Sequence, residues 1–454
     1  MNLPQAFLDN MRAQLGDAEY ALYLQAMREP FTRGLRVNLL RYPDGALPAG
    51  LSGLEGPIPW ARGGYFVHPD ARPGLHPLHE GGAYYLQEPS AMAAVSVLDI
   101  RPGQRVLDLC ASPGGKSTQI AGLLGEDGLL VSNEPVYSRA QVLSRNVERM
   151  GIRCAAVVSA LPDALAARFP AFFDRVLVDA PCSGEGMFRR QSEACAQWTP
   201  QSPAGCAGRQ LEILAAAWRM LRPGGLLAYS TCTFNTVEND GVIARFAKDH
   251  PSCETVPFCL PALGDAPQGT LHLYPHRIRG EGHFIACLRK SAQVNAEEAP
   301  SARNRPRPAA GRQRPPSWEA ALQDCLSQVL APGVRFGRVA ALGDRLFSPP
   351  EGLPDLAGVQ VLRMGLSIGH IIGRRVEPDH ALAMALSPDQ ALHAVELTQE
   401  EALCYQRGEV LPAPAGAAKG WTLMTLYGCP LGFSKCSDGL YKNRYPKGLR
   451  RQCV

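Results

Sequence analysis

The sequence predicts an α/β protein whose largest part is a doubly wound sheet, on three observations. Short apolar runs alternate with segments of helical periodicity between about residues 76 and 290. Three of those runs end in polar residues: Val106-Leu-Asp-Leu-Cys110, Val176-Leu-Val-Asp-Ala-Pro-Cys182 and Leu226-Leu-Ala-Tyr-Ser-Thr-Cys232. Buried parallel strands deliver side chains to the carboxyl edge of a sheet in this way. A Gly-rich turn, Ser112-Pro-Gly-Gly-Lys116, follows the first run.

The elements follow in order. Phe7, Met11 and Leu15 recur at four-residue spacing, continued by Tyr20, Tyr23 and Met27, which predicts a helix inside a first unit over 1–75. The second unit, 76–290, has strands at Arg105–Leu109, Gly128–Ser132, Ala155–Ser159, Arg175–Val178, Leu226–Ser230 and Phe284–Leu288. Leu211, Leu214, Trp218 and Leu221 mark an intervening helix, stopped by Pro223-Gly224-Gly225. Residues 291–316 read as a linker, because Ala299 to Pro316 holds five Arg, five Pro and no acid. Beyond it, short apolar runs between Gly and Pro turns predict mixed α+β structure, divided into 317–370 and 371–454.

The 454-residue length requires several domains, and a net charge of only +4 means that nucleic-acid affinity must come from local patches. Fourteen cysteines without a Cys-x-x-Cys, and with no apolar leader at Met1-Asn2-Leu3-Pro4, fit a reducing cytoplasm better than a disulfide framework. The same pattern predicts no metal site, and no apolar run approaches the ~20 residues of a membrane span.

Cys110-Ala111-Ser112-Pro113-Gly114-Gly115-Lys116-Ser117 ends like a phosphate loop, yet Cys110 stands where that motif needs Gly. The alternative is a loop that lets its backbone approach an amino-acid-like ligand, with a helix N-terminus to hold a carboxylate. Glu134 ends the next strand, where an acid binds a ribose diol. Asp108, the loop and Glu134 together fit S-adenosylmethionine better than a nucleoside triphosphate. A cofactor loop beside two strand-end thiols suggests covalent chemistry on an electrophilic ring.

With these residues on the page, the chain resembles the Sun-type (Nop/Sun) RNA cytosine-5 methyltransferases, most closely their RsmF/YebU-like ribosomal RNA branch. Leu35-Arg-Val-Asn38, Gln87-Glu-Pro-Ser-Ala-Met92, the Cys110–Lys116 loop, Asn133-Glu134 with Arg139, Asp179-Ala-Pro-Cys-Ser-Gly-Glu-Gly-Met-Phe188, Tyr229–Phe234 with Glu238-Asn239, and Gly282-His-Phe-Ile-Ala286 carry the likeness. Tyr405–Glu409, Gly420-Trp421, Leu431–Lys435 and Lys442–Gly448 resemble that branch's PUA-like RNA-binding module.

The resemblance implies a Rossmann-like class I S-adenosylmethionine-dependent methyltransferase domain, a small N-terminal accessory RNA-binding domain and a C-terminal α+β PUA-like region. It implies that Cys110, Ala111, Ser112, Pro113, Gly114, Gly115 and Lys116 line the methionine part of the cofactor, that Glu134 with Arg139 serves its ribose side, and that Asp179 stands between cofactor and base. Cys232 is implied as the nucleophile and Cys182 as the residue of product release, although DNA cytosine methyltransferases attack with the Pro-Cys thiol. Relatives carry an adenine-side acid near Ser159-Ala160-Leu161; here Asp163 is the nearest and is left unassigned. The implied partner is RNA, 16S ribosomal RNA or a small-subunit assembly intermediate; transfer RNA, or a non-catalytic assembly factor, remain as alternatives.

Thiolate attack at carbon 6 would make carbon 5 of cytosine nucleophilic. An assisting role for Asp179 in protonation calls for a shared proton or a raised pKa. Phe188 is read as core or base-stacking, Arg189 and Arg190 as solvated or phosphate-binding, and Tyr441 and Tyr445 among Lys442, Arg444 and Lys447 as stacking platforms. A chain ending near Lys290 is expected to fold by itself.

Overall fold

The structure is a computed structural model that describes residues 3–292 and 318–451; the Arg/Pro-rich stretch lies almost wholly outside them. Gln5–Ala26 forms the first helix, bent at Gly16, whose φ of 73° leaves the helical region. Its apolar face puts Phe7, Met11, Tyr23 and Met27 into a cluster with Phe188, Trp198, Phe234 and Tyr274 of the catalytic part. Burial of these rings is the main stabilisation available, since non-directional apolar burial contributes about 25 cal/mol per Å². Phe188 meets Phe7 edge-on at 5.1 Å and is 1% exposed, so it belongs to the core rather than to a base-stacking surface. An antiparallel sheet follows, ordered Leu54–Pro57, Gly64–Val67, Arg33–Val37, Tyr84–Leu86.

The central sheet has nine strands. Five run parallel in the order Leu221–Thr231, Phe173–Asp179, Arg105–Asp108, Leu129–Asn133, Ala155–Ser159. These agree with the strands expected from the apolar runs, with ends moved by a few residues. His283–Lys290 adds antiparallel to Leu221–Thr231. Strand order reverses beside Arg105–Asp108, and ligands of open α/β sheets bind at the carboxyl edge of such a switch point. Val106, Leu107, Val176, Leu177 and Val178 are fully buried, as both-face coverage by helices requires.

The far edge of this sheet holds a strand from the C-terminal half. Gln360–Met364 pairs antiparallel with Ala155–Ser159. Arg363, 2% exposed, reaches Glu148 on the helix Tyr137–Arg149 and also contacts Ser144 Oγ. Gly151 terminates that helix at φ +67°, and a Cβ there would sit 2.3 Å from the carbonyl of Met384. The chain thus needs glycine where the two halves touch.

The last sheet, ordered Ala394–Glu396, Gly420–Leu426, Cys429–Ser437, Leu440–Asn443, Leu411–Pro412, shares one core with the N-terminal sheet. Leu35, Val37 and Tyr84 pack in a cluster with Tyr405, Met424, Leu431, Tyr441 and Tyr445. Gln406 Nε2 donates to the carbonyl of Pro77 at 2.9 Å. Two expectations change here. Tyr441 and Tyr445 are 6% and 3% exposed, core residues rather than platforms for bases. A chain ending near Lys290 would bare both this apolar face and the Ala155–Ser159 edge, which argues against its folding by itself.

Candidate active site

The carboxyl edge of the parallel strands opens into a cavity of about 840 Å³. Its lining includes Cys110, Ser112, Glu134, Arg139, Asp179, Cys182 and Cys232. Residues dispersed over 123 positions of the sequence therefore meet because their strands are neighbours. Ala111, Pro113, Gly114, Gly115 and Lys116 shape the loop beside it. Gly114 caps the helix Gly115–Leu124 with φ 115°, a conformation glycine adopts without strain. Asp108 lies beneath this loop, accepting from Ser117 Oγ at 2.7 Å; burial pushes its carboxyl up to about 7.

Glu134, 3% exposed, accepts from the backbone of Val136 at 3.0 Å and faces Arg139 at 3.3 Å. This fixes one carboxylate at the end of its strand. Beyond it, Leu161, Pro162 and Asp163 form the cavity wall near the Ser159-Ala160-Leu161 segment. Asp163 also pairs with Arg219. Arg209, Glu212 and Ile213 of the helix Ser202–Met220 complete the lining. Nothing in the local sequence distinguishes these three from any other helical surface; only packing brings them over the cavity.

Asp179 Oδ2 accepts from Lys116 Nζ at 2.7 Å, and Oδ1 accepts from Ser230 Oγ at 2.7 Å. His283 Nε2 lies 3.5 Å from Oδ1. Burial works to raise the Asp179 carboxyl, but the Lys116 ammonium and the His283 imidazole outweigh it and hold it well below the usual carboxylate range. The raised pKa that a proton-donating Asp179 calls for is thus absent, because the Lys116 ammonium and the contact with His283 favour the charged form.

Cys182 Sγ and Cys232 Sγ stand 3.3 Å apart. The hydrogen bond to Cys232, together with burial, pushes the Cys182 thiol well above its ordinary value, which favours its protonated form.

Two buried acids tie the cysteine-bearing loops together. Glu185 Oε2 accepts from the backbone N–H groups of Phe234 and Asn235 at 2.9 and 3.0 Å, and Oε1 accepts from Trp198 Nε1 at 3.2 Å. Glu238 accepts from the Ser183 backbone at 3.0 Å, from Gln210 Nε2 at 2.8 Å and from Asn235 Nδ2 at 2.8 Å. The Gly186 N–H closes the link on the carbonyl of Cys232 at 2.8 Å. Each loop therefore fixes the other, which is how the two turns keep their thiols at contact distance. Motif reading quotes Glu185 and Glu238 but gives neither a role. Arg189 also turns inward, forming a buried pair with Glu281 at 2.8 Å instead of facing phosphate.

Comparison with known proteins completes the description. The family model for 16S rRNA methyltransferase RsmB/F matches residues 95–289, and that for the N-terminal domain of 16S rRNA methyltransferase RsmF matches 3–89. The models for the RsmF rRNA methyltransferase first C-terminal domain and the methyltransferase RsmF PUA domain match 325–386 and 392–451. Ribosomal RNA small subunit methyltransferase F of Klebsiella pneumoniae (strain 342) is 33% identical over 470 residues, covering 99% of this chain and 96% of its own. Among solved structures, PH0851 is 27% identical with a TM-score of 0.58, covering 63% of this chain and 66% of that one. NSun6 from Pyrococcus horikoshii with SFG is 20% identical with a TM-score of 0.52, covering 63% and 98%, a likeness of fold.

Proposed function

The chain belongs to the ribosomal RNA small subunit methyltransferase F family, and on that premise we propose that it forms 5-methylcytosine in 16S ribosomal RNA through a covalent adduct on Cys232. The observation that carries this reading is the pair of thiols 3.3 Å apart, in one cavity with Asp179. Chemistry needing one nucleophile does not account for a second sulfur at contact distance.

The donor set fits S-adenosylmethionine: Glu134 at its strand end for the ribose diol, and the Gly114-Gly115 turn with Cys110 and Ser112 for the methionine part. Bound there, the cofactor supplies an electrophilic methyl group. The protein's own residues do the rest. Cys232 Sγ attacks carbon 6 of cytosine, and the ring's electrons move toward carbon 5. Asp179, ionised beside Lys116, accepts a hydrogen bond from the exocyclic amino group and orients the ring edge. After carbon 5 is methylated, its proton passes to a solvent water in the open cavity, carbon 5–carbon 6 unsaturation returns, and the carbon 6–sulfur bond breaks with its electron pair on Cys232. Cys182, protonated and touching Cys232, is the nearest donor to steady the departing thiolate.

The test uses 16S ribosomal RNA fragments, with bisulfite sequencing to locate the product. Cys232→Ala should give neither methylation nor an adduct. Cys182→Ala should accumulate a protein–RNA adduct on a denaturing gel. The reverse pattern would make Cys182 the attacker, and an unchanged bisulfite profile in cells lacking the protein would remove the reading altogether.

A further inference from the structure

A groove of about 450 Å³ on the N-terminal sheet lies outside the catalytic cavity, and the reaction as described leaves it unused. Arg33, Arg72 and Arg190 line it together with Leu75 and Leu86. None of the three arginines has a carboxylate partner among the described residues. Glu88, the acid on the same wall, is committed elsewhere. Its Oε1 accepts from the backbone of Ser90 at 3.0 Å and of Glu281 at 2.8 Å, and its Oε2 from Ala91 at 2.8 Å. Three guanidinium groups thus face a weakly compensated space. Arg33 is held in place, with Nη2 donating to the carbonyls of His68 at 2.8 Å and Ala71 at 2.9 Å.

The groove also has an apolar side. Leu75 is 68% exposed and Leu86 38%, and at the rim Phe31 is 43% exposed beneath the Arg190 guanidinium, 5.6 Å from its ring centre. Guanidinium groups around an apolar floor match an unpaired nucleotide, which offers a phosphate to the first and a ring face to the second. An acidic peptide would answer the charges and leave Leu75, Leu86 and Phe31 bare.

The groove is mechanically continuous with the catalytic cavity. Thr32, on its wall, donates its backbone N–H to Glu281 Oε1 at 2.7 Å, and Arg189, beside Arg190, pairs with the same carboxylate. His283, two residues beyond Glu281, stands 3.5 Å from Asp179. The segment that carries Cys182 ends at Arg190. A chain of contacts thus links the wall of the groove to the Asp179 side of the cavity. We propose that this groove binds an unpaired nucleotide of the RNA that flanks the target cytosine, its phosphate on the arginine rim and its base on Leu75 and Leu86. The proposal rests on the RNA-substrate reading above.

The experiment uses the full chain with a 16S ribosomal RNA fragment that the wild type methylates. Arg72→Glu combined with Arg190→Glu alters exposed side chains only, and calorimetric S-adenosylmethionine binding at the wild-type value verifies folding. The expected result is at least a tenfold weaker affinity near ~0.15 M salt, with the slope of log K against log salt flattened by roughly 1.4–1.8 for two lost phosphate contacts. A 4-thiouridine placed beside the target cytosine should cross-link to the peptide containing Leu75 or to that containing Phe31. Unchanged affinity and slope, with cross-links elsewhere, would overturn the groove while leaving RNA methylation intact. Loss of methylation on assembled subunits alone, with naked RNA bound as before, would point to an acidic protein partner and likewise overturn it. A wild-type chain that neither binds nor methylates the RNA would instead defeat the parent reading.

Discussion

Lys116→Met removes the cation that keeps Asp179 ionised, and the outcome is calculable. At 2.7 Å, the gross attraction is on the order of 6 kcal/mol for an effective dielectric near 20. Desolvation of the lysine and solvent at Asp179, whose side chain is 31% exposed, reduce the usable part. Neighbouring opposite charges change a carboxyl's preference for its charged form by roughly 1.4–4 kcal/mol, and that is the expected loss. The sign follows from the depressed value: in the wild type, Asp179 stays charged above the usual carboxylate range, and its contribution is lost only as pH falls below that range. Without Lys116, burial is opposed by His283 and the Ser230 hydroxyl but no longer by an ammonium, so protonation moves upward. Single-turnover methylation, measured from pH 5 to 9 at saturating cofactor, should then show an acidic limb steeper than the one a thiolate nucleophile gives the wild type. Lys116→Arg, which retains the charge, should restore most of the wild-type profile. A variant with the wild-type pH profile and wild-type cofactor affinity would refute the claim that this pair sets the charge of Asp179.

Three further outcomes are expected. Glu238→Ala should lower kcat while leaving cofactor affinity unchanged, and should cost on the order of 3 kcal/mol in denaturant unfolding, because buried donors on Ser183, Gln210 and Asn235 lose their acceptor. Asp108, raised by burial to about 7, holds its proton in the folded chain while the unfolded chain releases it; wild-type stability should therefore fall between about pH 4 and 7 through this group, and Asp108→Asn should flatten that part of the curve by more than ~1 kcal/mol in urea melts at pH 5, 6 and 7. Ending the chain near Lys290 should yield a protein that aggregates or exposes dye-binding apolar surface, and a monomeric, cooperatively melting product would contradict the shared core of the N-terminal and last sheets.

Much of the catalytic half was legible because its signals are local. Parallel strands buried on both faces read as short apolar runs, and a polar residue directly after such a run falls at the sheet's carboxyl edge. Asp108, Cys110, Glu134, Asp179, Cys182 and Cys232 could be singled out on that ground alone. Family resemblance then supplied roles that spacing cannot. The assisting residues escaped because their partners are distant in sequence: His283 meets Asp179 across more than a hundred positions, and Glu238 holds Ser183 across 55.

The sequence by itself determined the sheet, the glycine-rich turn after Cys110 and the strand-end position of both thiols, since periodicity, glycine placement and strand-end chemistry act within a few residues. Tertiary structure decided the charge of Asp179, which depends on where Lys116 and His283 are folded to. It also decided the fate of the C-terminal aromatics. Tyr441 and Tyr445 lie between basic residues in the chain, yet they pack against the N-terminal sheet, because apolar area is buried wherever a complementary face exists and no local pattern records which face that is. The strand Gln360–Met364 is the same case: the chain records only a short apolar run there, and the open edge at Ala155–Ser159 determines the sheet it completes.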